Sequence, residues 1–390
     1  MSQDQSKSND YAPKNAIEEK LSVFQRKIFR VKAYNEVGGP KDTKGAYSLS
    51  MANDGDPKNK SGYSLGWGQW DLKQQGRESV PGKIINDAVN NIDDQALKLR
   101  AQINGINIDN VDNYKDELVK TIIKTKRESN PTVTKFKDLI DAELAKMSER
   151  IDKDTVKLMI ELDECVKDTI NQVKKPSSRV FLETNEAAQL FISDLKNQHG
   201  QRRVNSLIAF LNSGQVTIDE QRRDKHHKLK WVPGATVKTS GSEFGFEELL
   251  MFRLSTQYGK DHPVDIVRRF ANIVKVVKVK NISLTMEDAR FFADELPKHI
   301  WTKNKYNEVF KHKQFRELTI IANMKVGKKP LALSIPKPRT DKKYIDPASA
   351  STLHPHAAEI RAWYQRDYYT NKVWNIPSRY YWRIGPFSDD

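Results

Sequence analysis

Apolar residues recur every three or four positions between about Ile17 and Tyr34, which is the spacing of one face of an amphipathic helix. The recurring positions are Ile17, Leu21, Phe24, Ile28 and Val31. Gly38-Gly39-Pro40 follow directly, and glycine followed by proline is a common helix stop. The pattern therefore predicts a helix that ends near Glu36, with this residue in the last turn or just after it.

Residues 62–71, called the ribbon below, read Gly-Tyr-Ser-Leu-Gly-Trp-Gly-Gln-Trp-Asp. Small and aromatic residues favour a strand, and the glycines between them mark positions where another group must approach the backbone closely. The preceding residues 41–61 are rich in turn formers, with Asp54-Gly55 and Asp56-Pro57 as the clearest turn signals. The sequence therefore predicts a short β-region after a long, turn-rich segment.

Helical patterns return from about Pro81 to Lys175. Phe136, Ile140, Leu144, Met147 and Ile151 form one apolar stripe, which Leu158, Leu162, Val166, Ile170 and Val173 continue. The segment Lys174-Lys175-Pro176 is the first predicted break. Further helices are predicted at about 184–212, 244–258, 262–279 and 285–301, with a hairpin around 229–232.

These elements predict a mainly helical α+β protein in four parts. Residues 1–16 are polar and predict a disordered leader, and residues 17–175 form the first helical region with the ribbon inside it. Residues 176–327 predict a helical body, which is either separate or continuous with the first region. Residues 328–390 begin with a Pro- and Lys-rich stretch and end in an aromatic one, so we expect a basic, aromatic C-terminal segment.

The formal net charge is +15, and residues 297–390 carry 18 basic and 8 acidic side chains, an excess of +10. A charge concentrated in this way favours an anionic polymer as partner, and nucleic acid, anionic lipid or a bacterial wall would all qualify. A solvated basic surface without a specific partner is the other interpretation.

The single cysteine, Cys165, excludes an intramolecular disulfide, and its helical surroundings predict a small buried residue and not a nucleophile. No apolar run reaches the length of a membrane span. The first twenty residues lack the apolar stretch of a secretory signal, so we expect synthesis in the cytoplasm.

Glu36 is the candidate for chemistry. Glycoside hydrolysis needs a proton donor at the leaving oxygen, and on the opposite side of the sugar it needs a carboxylate or a positioned water. Glutamate suits the donor role because partial burial favours its protonated form. The C-terminus of a helix is the negative end of its dipole, so this position also disfavours the charged carboxylate of a glutamate.

The ribbon resembles a motif of the lysozyme-like superfamily, which includes phage-type and goose-type lysozymes, lytic transglycosylases and chitosanases. Residues 62–69 are similar to the Gly-Tyr-Thr-Ile-Gly-x-Gly-His hairpin of phage-type lysozymes. Residues 66–71 are equally similar to the Gly-Leu-Met-Gln-x-Asp stretch of goose-type enzymes. The resemblance covers about residues 20–75. It implies a lysozyme-like α+β domain in which a small hairpin lies beside the helix that carries the catalytic acid.

The resemblance implies Glu36 as the general acid, with Glu18 and Glu19 as alternatives that fit a solvated helix face better. It implies Ser64 at the position of a water-holding Thr, and Gln69 and Asp71 along the wall of the cleft. The aromatic side chains of the ribbon could stack on sugar faces, and Tyr63 and Trp70 are the residues that we expect to contact substrate.

Asp54 and Asp56 are the candidates for a second catalytic carboxylate, because a flexible turn could place either across the cleft. The alternative is that both simply form Asx turns. A lytic transglycosylase would need no second acid, so the sequence leaves the two kinds of cleavage open.

The predicted activity is cleavage of the glycan strand of bacterial peptidoglycan, without metal or cofactor. Chitosan is a polycation that a protein of charge +15 would repel, whereas peptidoglycan and its attached polymers are largely anionic. We expect an outside agency to deliver such an enzyme, as for a phage endolysin or a secreted antibacterial effector, so a delivery or immunity protein is an expected partner.

The alternative is a non-enzymatic module that binds nucleic acid or an anionic surface through residues 328–390. No helix-turn-helix, zinc-finger or RNP-like pattern supports specific nucleic-acid binding. His226-His227 and His354-Pro355-His356 have no third ligand at a convincing spacing, so no metal site is predicted.

Overall fold

The computed structural model describes residues 12–13, 15–41, 43–51, 62–125, 129–223, 229–239, 244–301 and 313–328. The chain divides into two compact units, Met1–Asp168 and Thr169–Asp390. In the described residues both units are built mainly from helices, with a small antiparallel sheet in each. The mainly helical α+β class is thus confirmed. The boundary between the units precedes the predicted break at 174–176 and lies inside a helix.

The first unit contains two helices where the sequence predicts one. α1 spans Ala16–Glu19 and α2 spans Val23–Glu36. Ser22 separates them because it caps α2: its hydroxyl accepts the N–H of Gln25 at 3.3 Å, and the Gln25 side chain accepts the N–H of Ser22 at 3.1 Å. α2 ends at Glu36, as predicted.

Seven more helices are described in the first unit, the last of which runs on into the second. They are α3 (Thr43–Ala46), α4 (Leu72–Gln75), α5 (Val80–Asn90), α6 (Asp94–Ile103), α7 (Val111–Lys124), α8 (Pro131–Lys146) and α9 (Ser148–Gln172). The predicted apolar stripe is buried from Phe136 to Leu144, but Met147 is the C-cap of α8, so the stripe divides between two helices. Cys165 is buried on α9, as expected.

The ribbon forms two strands of a three-stranded antiparallel sheet. β1 is Ser50–Met51, β2 is Tyr63–Leu65 and β3 is Trp70–Asp71, in the order β1-β2-β3. Ser64 is paired with Ser50 on one side and with Asp71 on the other. Residues 66–69 form the turn between β2 and β3, so the predicted β-region is a tight hairpin.

The second unit is a helical body with its own hairpin. Its helices are α10 (Pro176–Thr184), α11 (Glu186–Ser213), α12 (Phe246–Leu254), α13 (Gln257–Asp261), α14 (Pro263–Val277), α15 (Met286–Arg290), α16 (Leu296–Trp301) and α17 (Lys313–Lys325). A 3₁₀ turn, Val279–Asn281, follows α14, and a π-helical turn, Phe291–Glu295, joins α15 to α16. β4 (Gln215–Arg223) and β5 (Leu229–Lys238) form the predicted hairpin, which is longer than expected.

Among the described helices, none is both long enough and apolar enough to cross a lipid bilayer. Residues 1–11 of the predicted leader and residues 329–390 of the C-terminal segment lie outside the described residues, so the expectations for them stay predictions.

Candidate active site

Glu36 is the last residue of α2, and its side chain is partly buried. The helix stops there because Gly38 and Gly39 take φ values of 87° and 150°, which favour glycine. A Cβ on Gly39 would lie 3.2 Å from the ring of Tyr34, so the chain folds back closely over the last turn of α2. Glu36 therefore occupies the negative end of a helix, beside a tight turn.

The helix that ends in Glu36 packs against the turn of the ribbon. The rings of Phe29 and Trp67 meet edge to face, with centroids 5.1 Å apart. A Cβ on Gly68 would lie 2.8 Å from Cε of Lys32, so the end of this side chain lies directly against the ribbon turn. Lys32 and Glu36 are four residues apart and share a helix face. Glu36 consequently extends the face of α2 that contacts the ribbon.

Glu18 is not on a solvated face, which corrects the expectation from the sequence. Its side chain is fully buried and accepts hydrogen bonds from Nε and Nη2 of Arg30 at 2.9 and 2.6 Å. A carboxylate held in this way by a buried guanidinium is poorly placed to donate a proton to a substrate. Glu19 is exposed, as expected.

Two polar residues of the ribbon fix its geometry: Gln69 holds the turn, and Asp71 caps the helix that follows. Gln69, at φ 45°, donates from Nε2 to the Gly66 carbonyl at 3.2 Å and accepts from the Ser50 hydroxyl at 2.6 Å. Asp71 is the N-cap of α4 and accepts the N–H groups of Lys73 and Gln74 at 3.0 and 3.1 Å. Both side chains are partly exposed, so they combine this structural role with access to solvent.

Ser64 and Tyr63 are buried, with 6% and 2% of their surfaces exposed. The Tyr63 hydroxyl accepts the backbone N–H of Asn130 at 2.9 Å. Its ring therefore belongs to the core, which corrects the expectation that it faces a cleft. Trp70 is partly exposed and its ring covers Gly66, so it is the ribbon aromatic with a surface available to a ligand.

Asp54 and Asp56 lie outside the described residues, and so do His226-His227 and His354-Pro355-His356. In the part of the chain that the structure describes, no three histidine, cysteine or acidic side chains converge as metal ligands would.

Asp152 is a site residue that the sequence did not indicate. It lies on α9, and its Oδ1 atom accepts the Tyr47 hydroxyl at 2.6 Å and Nε1 of Trp67 at 3.1 Å. Burial raises the pKa of the Asp152 carboxyl, and the two hydrogen bonds oppose part of that shift. Nothing local marks this residue, because it is one of several acidic positions on a long polar helix.

Two partly buried carboxyl groups thus come from helices that both contact Trp67 of the ribbon: Glu36 on α2 and Asp152 on α9. A carboxyl group accepts a proton when it is ionised and donates one when it is protonated, so each of the two could take part in proton transfer. No protein-family model, curated protein or solved structure matches the chain. Its function must therefore be inferred from these residues.

Proposed function

We propose that this protein cleaves the glycan strand of bacterial peptidoglycan as a lysozyme-type enzyme, with Glu36 as the general acid. The observation that carries the proposal is the packing of α2 on the ribbon through Phe29–Trp67 and Lys32–Gly68, because Glu36 terminates the helix face that makes these contacts. Glu36 is partly buried and is the last residue of that helix, beside the tight turn at Gly38 and Gly39.

The proposed sugar-binding surface is the exposed side of the ribbon. The partly exposed ring of Trp70 offers a face for stacking, and the amide of Gln69 and the carboxylate of Asp71 offer partners for sugar hydroxyl groups. Ser64 is proposed to position a water from within the hairpin, as the resemblance implies. The net charge of +15 favours an anionic glycan over a cationic one.

The test is the clearing of purified peptidoglycan by the wild type and by Glu36→Gln. The amide cannot donate the proton, so we expect a rate loss of about 10²–10⁴-fold. Glu19→Gln is the matched control, because Glu19 is an exposed glutamate of the same unit, and it should clear at the wild-type rate. Wild-type clearing by a folded Glu36→Gln protein would contradict the assignment of the acid.

A further inference from the structure

Asp152 differs from Glu18 in how its two oxygen atoms are used. Both hydrogen bonds, from Tyr47 and Trp67, go to Oδ1. In the described part of the chain no donor contacts Oδ2, although the side chain is partly buried. Glu18, in contrast, is bound through both oxygen atoms by Arg30. Asp152 is therefore fixed in orientation while one oxygen atom stays available.

The donors that fix Asp152 are themselves rigidly placed. Trp67 is buried and its ring meets those of Phe29 and Tyr47 edge to face, with centroid distances of 5.1 and 6.0 Å. Tyr47 lies between α3 and β1, and the Gly66 N–H donates to the carbonyl of its neighbour Ala46 at 3.1 Å. Asp152 therefore lies where three segments meet: the ribbon turn, the residues before β1, and α2.

We propose that Asp152 is the second carboxyl group of the glycan-cleaving site and acts as general base through Oδ2, with Tyr47 as its positioning residue. This inference rests on the proposed function and deepens it, because it commits the enzyme to hydrolysis with a water nucleophile.

Oδ2 of Asp152 takes a proton from a water molecule while the water oxygen forms a bond to the anomeric carbon. The bond from that carbon to the glycosidic oxygen breaks, and Glu36 donates its proton to the departing oxygen. One water is consumed, and the new reducing end has inverted configuration. Proton exchange with solvent then restores both carboxyl groups.

The two possible roles of a second carboxyl group differ in the spacing they need. A direct carboxylate nucleophile requires about 5–5.5 Å between the carboxyl groups and retains the configuration, whereas a base that acts through water requires about 6.5–9.5 Å and inverts it. The configuration of the new reducing end therefore tests the role proposed for Asp152.

The first variant is Asp152→Asn. The amide oxygen can still accept from Tyr47 and Trp67, so the fold should be retained, but the base is lost. We expect turnover of soluble peptidoglycan fragments to fall by about 10²–10⁴-fold. Asp154→Asn is the matched control, because Asp154 lies on the same helix and pairs with Lys157 at 2.9 Å. It should keep the wild-type rate.

The second variant is Tyr47→Phe, which separates positioning from a merely structural role. Burial raises the pKa of Asp152, and the hydrogen bonds from Tyr47 and Trp67 and the positive charge of Lys20 lower it. Removal of the Tyr47 hydroxyl should therefore raise that pKa. A base works only when deprotonated, so the acidic limb of the kcat/KM profile should move to higher pH. A uniform loss of activity with an unmoved limb would contradict the positioning role.

Three outcomes separate this inference from the proposed function. Inverted reducing ends from the wild type, together with loss of activity in Asp152→Asn, support both. Products ending in 1,6-anhydro sugars, or wild-type activity in Asp152→Asn, would overturn the role of Asp152 and leave glycan cleavage standing. Absence of any glycan cleavage by the wild type would overturn both.

Discussion

Glu18 and Arg30 form an ion pair in the core of the first unit, with 0% and 7% of their side chains exposed. Each charge stabilises the other, because removal of one partner of a buried ion pair is strongly destabilising. Arg30 also donates to the carbonyl of Ala12 at 2.8 Å, which ties the residues before α1 to α2. The pair therefore links the beginning of the described chain to the helix that ends in Glu36.

Glu18→Gln should lower the free energy of unfolding by about 3–5 kcal/mol, because the buried Arg30 would lose the carboxylate that accepts its Nε and Nη2 hydrogen bonds. Urea denaturation at neutral pH measures the change. Glu19→Gln, one position further on and exposed, should change it by less than about 0.5 kcal/mol. Equal stability of the two variants would contradict the structural role given to Glu18.

Single residues show where sequence reasoning succeeds and where it stops. Gly38-Gly39-Pro40 is a local signal, and it located the end of α2 at Glu36 correctly. The burial of Glu18 depends on Arg30, twelve positions away, and the environment of Asp152 depends on Trp67 and Tyr47, which are far apart from it in sequence. Contacts of this kind leave no local pattern, so neither could be predicted.

The hairpin of the ribbon depends on its glycines. Gly66 has φ 81°, and a Cβ there would lie 2.7 Å from a ring carbon of Trp70. Gly105 has a similar φ of 66°, but a Cβ there would meet no atom within 4 Å. The two positions therefore separate the cost of the backbone conformation from the cost of the steric clash.

Gly105→Ala should destabilise the protein by about 1 kcal/mol through its positive φ alone. Gly66→Ala adds the clash with Trp70 and should cost about 2–4 kcal/mol. Thermal denaturation of both variants tests the difference. If Gly66→Ala also displaces Trp70, glycan binding should weaken, and Gly105→Ala should leave it unchanged. Similar costs for both variants would show that the Trp70 ring adjusts freely.

At the level of elements, periodicity predicted most helices because each buries one apolar face. The breaks between consecutive helices were harder to predict. Ser22 and Met147 are cap residues that end or begin a helix, but both fall inside continuous apolar stripes. β1 has only two residues, too few for any alternation to be visible. α17 was not predicted at all, because its apolar residues follow a lysine-rich stretch that contains no clear start signal.

In the second unit, buried charges hold the helical body together. Asp194 on α11 is paired with Arg253 on α12 and with Arg269 on α14. Burial by itself would raise the pKa of Asp194, but the two arginines outweigh it and lower the pKa to about 2. His199, one turn further along α11, is stacked edge to face on Tyr258 at 5.3 Å.

Burial, reinforced by Arg253 and Arg203, lowers the pKa of His199 to about 3. In the unfolded chain His199 binds a proton below about pH 6.5, whereas in the folded chain it stays neutral down to about pH 3. The free energy of unfolding therefore has its full value above about pH 6.5 and decreases as the pH falls from 6.5 towards 3. As the pH falls from 7 to 5, the free energy of unfolding should decrease by about 2 kcal/mol because of this histidine. Hydrogen exchange in α14, measured at several pH values and corrected for intrinsic rates, reports the change.

His199→Phe is the control for that prediction, because it keeps an aromatic ring beside Tyr258 and removes the titrating group. The pH dependence between 7 and 5 should largely disappear in this variant. The pKa of Asp194 is lowered to about 2, outside this pH range, so Asp194 cannot cause a pH dependence between 7 and 5. An unchanged pH dependence in His199→Phe would show that other groups cause it.

For the molecule as a whole, we propose that the unit with the ribbon cuts glycan strands. Mass spectrometry of peptidoglycan digested by the full chain tests this most directly, with Glu36→Gln digested in parallel. We predict new reducing sugar ends in the wild-type digest and almost none in the Glu36→Gln digest. Intact glycan strands after prolonged digestion by folded wild-type protein would contradict the claim.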